Sequence, residues 1–265
     1  MKFDKVTLEL QSRVAILTLN DPNTLNALDT AMLNGLTQAL THVAAPGTGA
    51  RCLLLTGAGR GFCSGANLAD QDGSGGSLDR EDLGARLESH YHPILRQFRT
   101  LQMPIVVAVN GPAVGIGMSF ALLGDMSFAA RSAYFSQGFR HIGLVPDGGS
   151  TWLLPRLVGL ARAKELSFLG EKLTAEKAFE WGLINRLCND DVLLDDAMAC
   201  ARNLADGPTV SLGLTRKLYA ETLDNTYEQQ LDLERRSQKQ AGRTKDFVEG
   251  VTAFLEKRAP RFKGE

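Results

Sequence analysis

The sequence predicts an α/β protein with a parallel-sheet core in its N-terminal part and a helical region at its C-terminal end. Three observations carry this. "RCLLLTG" and "PIVVAVNG" are continuous apolar runs, the pattern of strands buried on both faces. Amphipathic stretches separate such runs, as helices covering a sheet do. Beyond Gly148 the apolar spacing turns almost purely helical.

Taken in order, "MKFDKVTLELQSRVAILTLN" alternates polar and apolar residues and reads as strand. "DTAMLNGLTQALTHV" follows as an amphipathic helix opened by Asp29. After the strand "RCLLLTG" come a glycine-rich turn, "GAGRGFCSGANL", and a polar stretch, "ADQDGSGGSLDRED", that reads as a mobile loop. A helical segment around "LESHYHPILRQFRTL" leads to "PIVVAVNG", a second glycine turn, "GPAVGIGMSFALLGD", and two short strand-like pieces, "MSFAA" and "AYFSQ". "STWLLPRLVG", "RAKELSFLG", "TAEKAFEWG" and "VLLDDAMACARNLADG" each end near a glycine, as helices commonly do. Thr226 and Gln229 form a capping box for "EQQLDLERRSQKQA", and "KDFVEGVTAFLEKR" precedes a short basic tail. Residues 1–200 are expected to form the core and residues 201–265 the helical region.

Composition narrows the function. The 265 residues are 44% hydrophobic and 22% charged, enough for a sizeable core without disulfides or metals. Lys+Arg 29 against Asp+Glu 30 gives a net charge of -1, which argues against a general nucleic-acid binder or a polybasic membrane protein. The N-terminus lacks an apolar signal core and no apolar stretch is long enough to span a bilayer. Cys52, Cys63, Cys188 and Cys200 show no CxxC spacing and support neither a metal site nor a disulfide framework, so a reducing cytoplasm is expected.

Two glycine turns follow strands, so dinucleotide binding is tested first. Phe62 breaks the pattern begun by Gly57 and Gly59, Phe120 breaks that of Gly115 and Gly117, and neither turn ends as a phosphate loop does. Gly117-Met118-Ser119-Phe120-Ala121 has the outline of a nucleophile elbow. His42, His90, His92 and His141 leave no late histidine for a hydrolase triad. A third reading uses both turns together. Small-residue turns between strand and helix can aim backbone N–H groups at one point, and two of them make an oxyanion hole. The bland alternative is that the glycines only permit tight turns and close packing.

"LNDPNTLNAL", "TGAGRGFCSGANL", "NGPAVGIGMSFALLGD" and "GLVPDGGSTWLLPRLVG", in that order and spacing, resemble the crotonase (enoyl-CoA hydratase/isomerase) superfamily, as does the ending "FLEKRAPRFKG". The resemblance spans essentially the whole chain. It implies a ββα-spiral core, a C-terminal helical trimerisation region, a homotrimer or homohexamer, and an acyl-CoA thioester substrate. Coenzyme A is then part of the substrate, and no cofactor, metal, nucleic acid or membrane partner is implied. Carried over position by position, the resemblance puts the oxyanion donors on the N–H groups of Ala66 and Ile116. It puts the coenzyme A contacts around Thr24, Leu25, Ala27, Ser64, Asn67 and Leu68.

Departures from the family pattern select the reaction. Hydratases of the family use two glutamates, whose places here hold Ser119 and Phe139, and neither can act as a carboxylate base. Asp147 of "LVPDGG" falls where dienoyl-CoA isomerases and ring-epoxide isomerases of the family carry an aspartate. Its alternative role is to cap the helix starting near Ser150. With both glutamates absent, the catalytic role is preferred. Leu144, Val145 and Trp152 are candidates for an apolar pocket that raises the pKa of this acid. Asp70, Asp72 and Asp79 are rival acids, read as solvated loop charges, and Cys63 lacks a histidine partner. The expected function is an acyl-CoA isomerase of fatty-acid or aromatic-acid degradation, shifting a 3-enoyl double bond to the 2-position or acting on a ring-epoxide or oxepin thioester. The alternatives are an enoyl-CoA hydratase and a non-catalytic acyl-CoA-binding homologue.

Overall fold

The computed structural model of the protein describes residues 1–68 and 82–265; Asp70, Asp72, Asp79 and nearly all of the stretch expected to be a mobile loop lie outside them. The chain opens with β1 (Lys2–Phe3), β2 (Val6–Gln11) and β3 (Val14–Leu19), paired antiparallel in sequence order. α1 (Thr30–Ala44) starts at Asp29, whose carboxylate accepts the Met32 N–H at 2.8 Å and is gripped by Lys5. Its buried stripe of Met32, Leu33, Leu36, Leu40 and Val43 has the spacing of one helix face.

β4 (Cys52–Gly57) lies parallel beside β3, and β5 (Ile105–Val109) beside β4. Every residue of both is buried, which is why they read as continuous apolar runs. Between them run α2 (Leu83–Arg86), a π-helical turn (Leu87–Tyr91) and α3 (His92–Thr100). β6 (Ala113–Val114), α4 (Ile116–Ala121), β7 (Met126–Ala130) and β8 (Tyr134–Ser136) follow. The remainder holds α5 (Ser150–Val158), α6 (Leu160–Leu169), β9 (Leu173–Thr174), α7 (Ala175–Glu180) and β10 (Arg186–Cys188). α8 (Leu193–Asp206), α9 (Thr209–Glu221), α10 (Tyr227–Ala241) and α11 (Lys245–Leu255) complete it. The main sheet has seven strands in the order β1-β2-β3-β4-β5-β7-β10, parallel from β3 onward, and β6, β8 and β9 make a second sheet.

The region beyond Gly148 is less purely helical than its spacing suggests. β9 joins β8, and β10 adds the last strand to the main sheet. At two and three residues they are too short to display a period. α9 also carries little sequence signal: it follows Pro208 with no side-chain cap, and only Gly213 and Leu214 are buried. A Cβ at Gly213 would lie 2.4 Å from the Gln102 carbonyl oxygen, so this helix rests directly on backbone. The capping box of Thr226 and Gln229 is present at the start of α10. Among the described residues no helix is long and apolar enough to cross a membrane.

Candidate active site

Beyond β4 the chain runs alongside the segment Asp21 to Leu28, and buried Asn26 clamps the two. Its Nδ2 donates to the carbonyls of Ala58 (3.0 Å) and Gly61 (2.8 Å), while its Oδ1 accepts from Asp21 N (2.9 Å). Ser64 Oγ donates to Thr24 O at 2.9 Å and Ser64 N to Leu25 O at 3.0 Å. Ala27 N reaches Thr24 Oγ1 at 3.3 Å. These bonds bring Thr24, Leu25, Ala27 and Ser64 together, with Asn67 bonded to Leu28 O and Leu68 exposed beyond it. Leu28 and Ala66 form a parallel bridge in which Leu28 N donates to Gly65 O (2.8 Å) and Asn67 N to Leu28 O (3.0 Å). That pattern turns the N–H of Ala66 itself to the opposite side, and Ala66 is exposed.

The second glycine turn packs straight onto the first. A Cβ at Gly117 would sit 2.3 Å from the Cys63 carbonyl oxygen, and one at Gly65 would sit 2.9 Å from that of Val114. Gly65 also has φ 102°, where side chains are strained. Gly115 N donates to Ser136 O at 2.8 Å, and the chain then enters α4 at Ile116. As the first residue of that helix, Ile116 has no intrahelical acceptor for its N–H. No described group accepts from the N–H of Ala66 or Ile116. Two unpaired donors therefore lie on turns in direct contact.

The two places where family hydratases carry glutamate are occupied structurally. Ser119 is fully buried, and its Oγ donates to the Asp147 carbonyl oxygen at 2.9 Å. Ser150 Oγ donates to the same oxygen at 2.8 Å. Ser119 is thus a strut for the Asp147 loop rather than the exposed nucleophile of an elbow. A bond between residues so far apart leaves no local pattern, so sequence alone gave no sign of it. Phe139 is buried with its ring 3.7 Å from where a Gly115 Cβ would be, and backs the second turn.

Asp147 does not cap α5. The N-cap is Gly149, at φ 80°, and no side chain caps that helix. Instead Asp147 Oδ1 is buried with no hydrogen-bond partner among the described residues. Burial pushes the carboxyl up to about 6, against a smaller opposing pull from His92. Leu144 and Val145, expected as pocket walls, are 41% and 78% exposed and are not among the residues that line the neighbouring cavity. The turn through Gly143 carries them outward. Trp152, the third candidate, does line a cavity of about 820 Å³ that also touches Gly148, Gly149, Leu95, Leu122 and Leu153. Arg156 and Arg99 lie 4.0 and 5.2 Å from the centre of its ring. Burial holds the Cys63 thiol up at about 12, which removes it as a nucleophile.

The enoyl-CoA hydratase/isomerase family matches residues 9–265. A 1,2-epoxyphenylacetyl-CoA isomerase of Escherichia coli (strain K12) is 47% identical over 258 residues, which cover 97% of each chain. A Rhodobacter capsulatus protein named probable enoyl-CoA hydratase is 40% identical over 264 residues, covering 100% of both. The crystal structure of an enoyl-CoA hydratase from Bacillus anthracis matches with a TM-score of 0.91 at 29% identity, over 98% of this chain and 100% of that one. Sequence and architecture agree along nearly the whole length: this chain belongs to the enoyl-CoA hydratase/isomerase (crotonase) family and has its α/β fold with C-terminal helices.

Proposed function

We propose that the protein is an acyl-CoA isomerase in which Asp147 moves a proton while the N–H groups of Ala66 and Ile116 hold the enolate oxygen. One observation carries this: the Asp147 carboxyl is partnerless on its buried oxygen and pushed up to about 6. A group poised near neutral pH can both take a proton and return it. From a 3-enoyl thioester it takes the proton on C2, and the freed electron pair spreads onto the thioester oxygen. Each N–H donor stabilises that charge by about 3 kcal/mol. Protonated Asp147 then delivers the proton to C4, which restores the carbonyl and leaves the double bond at the 2-position. No water is consumed, so no second carboxylate is required.

The 1,2-epoxyphenylacetyl-CoA named for the Escherichia coli relative has a C2 methylene between thioester and epoxide ring, the same kind of acidic position. The cavity beside Gly148 is mostly apolar and large enough for a cyclic acyl group. Thr24, Leu25, Ala27, Ser64, Asn67 and Leu68 are the proposed coenzyme A edge, largely through backbone. Tyr227, Phe247, Val248, Phe254 and Leu255 of α10 and α11 are exposed apolar side chains, which supports a homotrimer or homohexamer built on this region. Light scattering should report three or six times 28.7 kDa; a monomer at every concentration would contradict it.

The test is a panel of 1,2-epoxyphenylacetyl-CoA, a 3-enoyl-CoA and crotonyl-CoA. Isomerisation of one of the first two is expected, with crotonyl-CoA hydration far below the roughly 10 per second of an ordinary enzyme. Asp147→Asn should lower kcat for the isomerised substrate by about a hundredfold or more. Full activity in a folded variant would return Asp147 to structure. Brisk hydration would overturn the preference for isomerase, and binding without turnover of any thioester would favour a non-catalytic homologue.

A further inference from the structure

Asp147 stands at the start of a tight turn into α5, and three donors meet on its backbone carbonyl. Ser150 N donates to that oxygen at 3.1 Å and Ser150 Oγ at 2.8 Å, both from within the turn. Ser119 Oγ reaches it at 2.9 Å from α4, 28 residues away in sequence. The central residues of the turn, Gly148 and Gly149, are left-handed, at φ 62° and 80°. A Cβ on Gly148 would lie 2.7 Å from that of Ser119 and 3.0 Å from Ile116 Cγ1, so the turn packs its backbone directly on α4. Ser119 and Ile116 are three residues apart on that helix and share a face. Ser119 therefore ties the turn that carries the carboxyl to the helix that begins with the Ile116 N–H.

Both hydroxyls are fully buried, as is Gln137, whose Oε1 lies 3.4 Å from Ser150 Oγ and whose Nε2 lies 3.3 Å from Met118 Sδ. Burying a hydroxyl is unfavourable unless its bond is made, and a buried network that is bonded throughout fixes one arrangement. The turn itself is closed by the Ser150 N–H and by two glycines that adopt left-handed backbone without strain. What the hydroxyls add is a fixed placement of Asp147 against α4. Building on the assignment of Asp147 as the proton carrier and Ile116 as an enolate donor, we propose that Ser119, together with Ser150, is a positioning residue. It holds Asp147 at a set distance from the Ile116 donor, so that the carboxyl faces C2 while the N–H faces the thioester oxygen. Proton transfer requires a short, aligned path, and a displacement of about 1 Å costs on the order of a hundredfold.

The experiment follows C2 hydrogen exchange of phenylacetyl-CoA in D₂O, at saturating and half-saturating thioester, well below the melting temperature of each protein. Ser119→Ala, Ser150→Ala and the pair are each made in the parent and in the Asp147→Asn background. Ser119→Ala should lower the saturated rate about fivefold, the loss of one hydrogen bond, and leave the half-saturating concentration within about twofold. Removing both hydroxyls should lower the rate about a hundredfold. With Asp147→Asn already present, Ser119→Ala should cost nothing further, because it acts through the group that is gone. A parental rate in Ser119→Ala, or the same fold-loss with and without the Asp147 carboxyl, overturns the proposal even if Asp147→Asn has lost activity. Full exchange in Asp147→Asn, or none in the parent, instead overturns the assignment of Asp147 and this inference with it.

Discussion

The two sides of the candidate site are built on opposite principles. On the amide side, Asn26 ties one turn to the segment running from Asp21 to Leu28, and Gly65 and Gly117 approach neighbouring carbonyls more closely than any side chain allows. On the acid side, a loop with left-handed glycines at 143, 148 and 149 carries two exposed apolar residues and a carboxyl oxygen with no partner among the described residues. Packing fixes the first side. The second holds a group that the fold would be more stable without. Fixed donors for a developing charge and a poised acid for the proton are what an enolate reaction asks of the two walls.

Gly117 is where the amide side tolerates change least. A methyl group there would meet the Cys63 carbonyl oxygen, so Gly117→Ala should cost about 1–3 kcal/mol of stability and displace the Ile116 N–H. Thermal unfolding and kcat together check this, and an alanine variant as stable and active as the parent would show that the amide side is not tightly fixed.

Asp147→Asn sharpens the other half, with a smaller effect on stability. Burial raises the folded-state value of this carboxyl to about 6, so its favourable contribution exists while it is protonated and is lost as pH rises through about 6. The asparagine variant should therefore be more stable than the parent at pH 8, by roughly 1 kcal/mol after allowing for partial exposure. At pH 4 the two should nearly coincide. Melting temperatures at both values test it, and a variant less stable at pH 8 would mean that the carboxylate is held by a favourable contact.

Much of this was legible in the residues. The buried runs became β4 and β5, Asp29 and Thr226 cap helices, and the glycine turns lie on adjacent strands. What escaped was either too short or too distant in sequence to leave a pattern. β10 is three residues long, α9 has no apolar stripe, and the π-helical turn before His92 has no signature. The bond from Ser119 to Asp147 joins residues on different elements, and only the fold shows that the first glutamate place became a strut. Sequence also left Asp147 open as a helix cap; the left-handed backbone at Gly149 closes that possibility.

Hydrogen exchange at C2 of phenylacetyl-CoA in D₂O, followed by proton NMR, isolates enolate formation, because this thioester can lose and regain its C2 proton but has no double bond to shift. The parent enzyme should catalyse the exchange and Asp147→Asn should lose it by about a hundredfold or more. Exchange that continues undiminished in Asp147→Asn, or that the parent does not catalyse at all, would contradict proton transfer by Asp147 to and from an enolate held by Ala66 and Ile116.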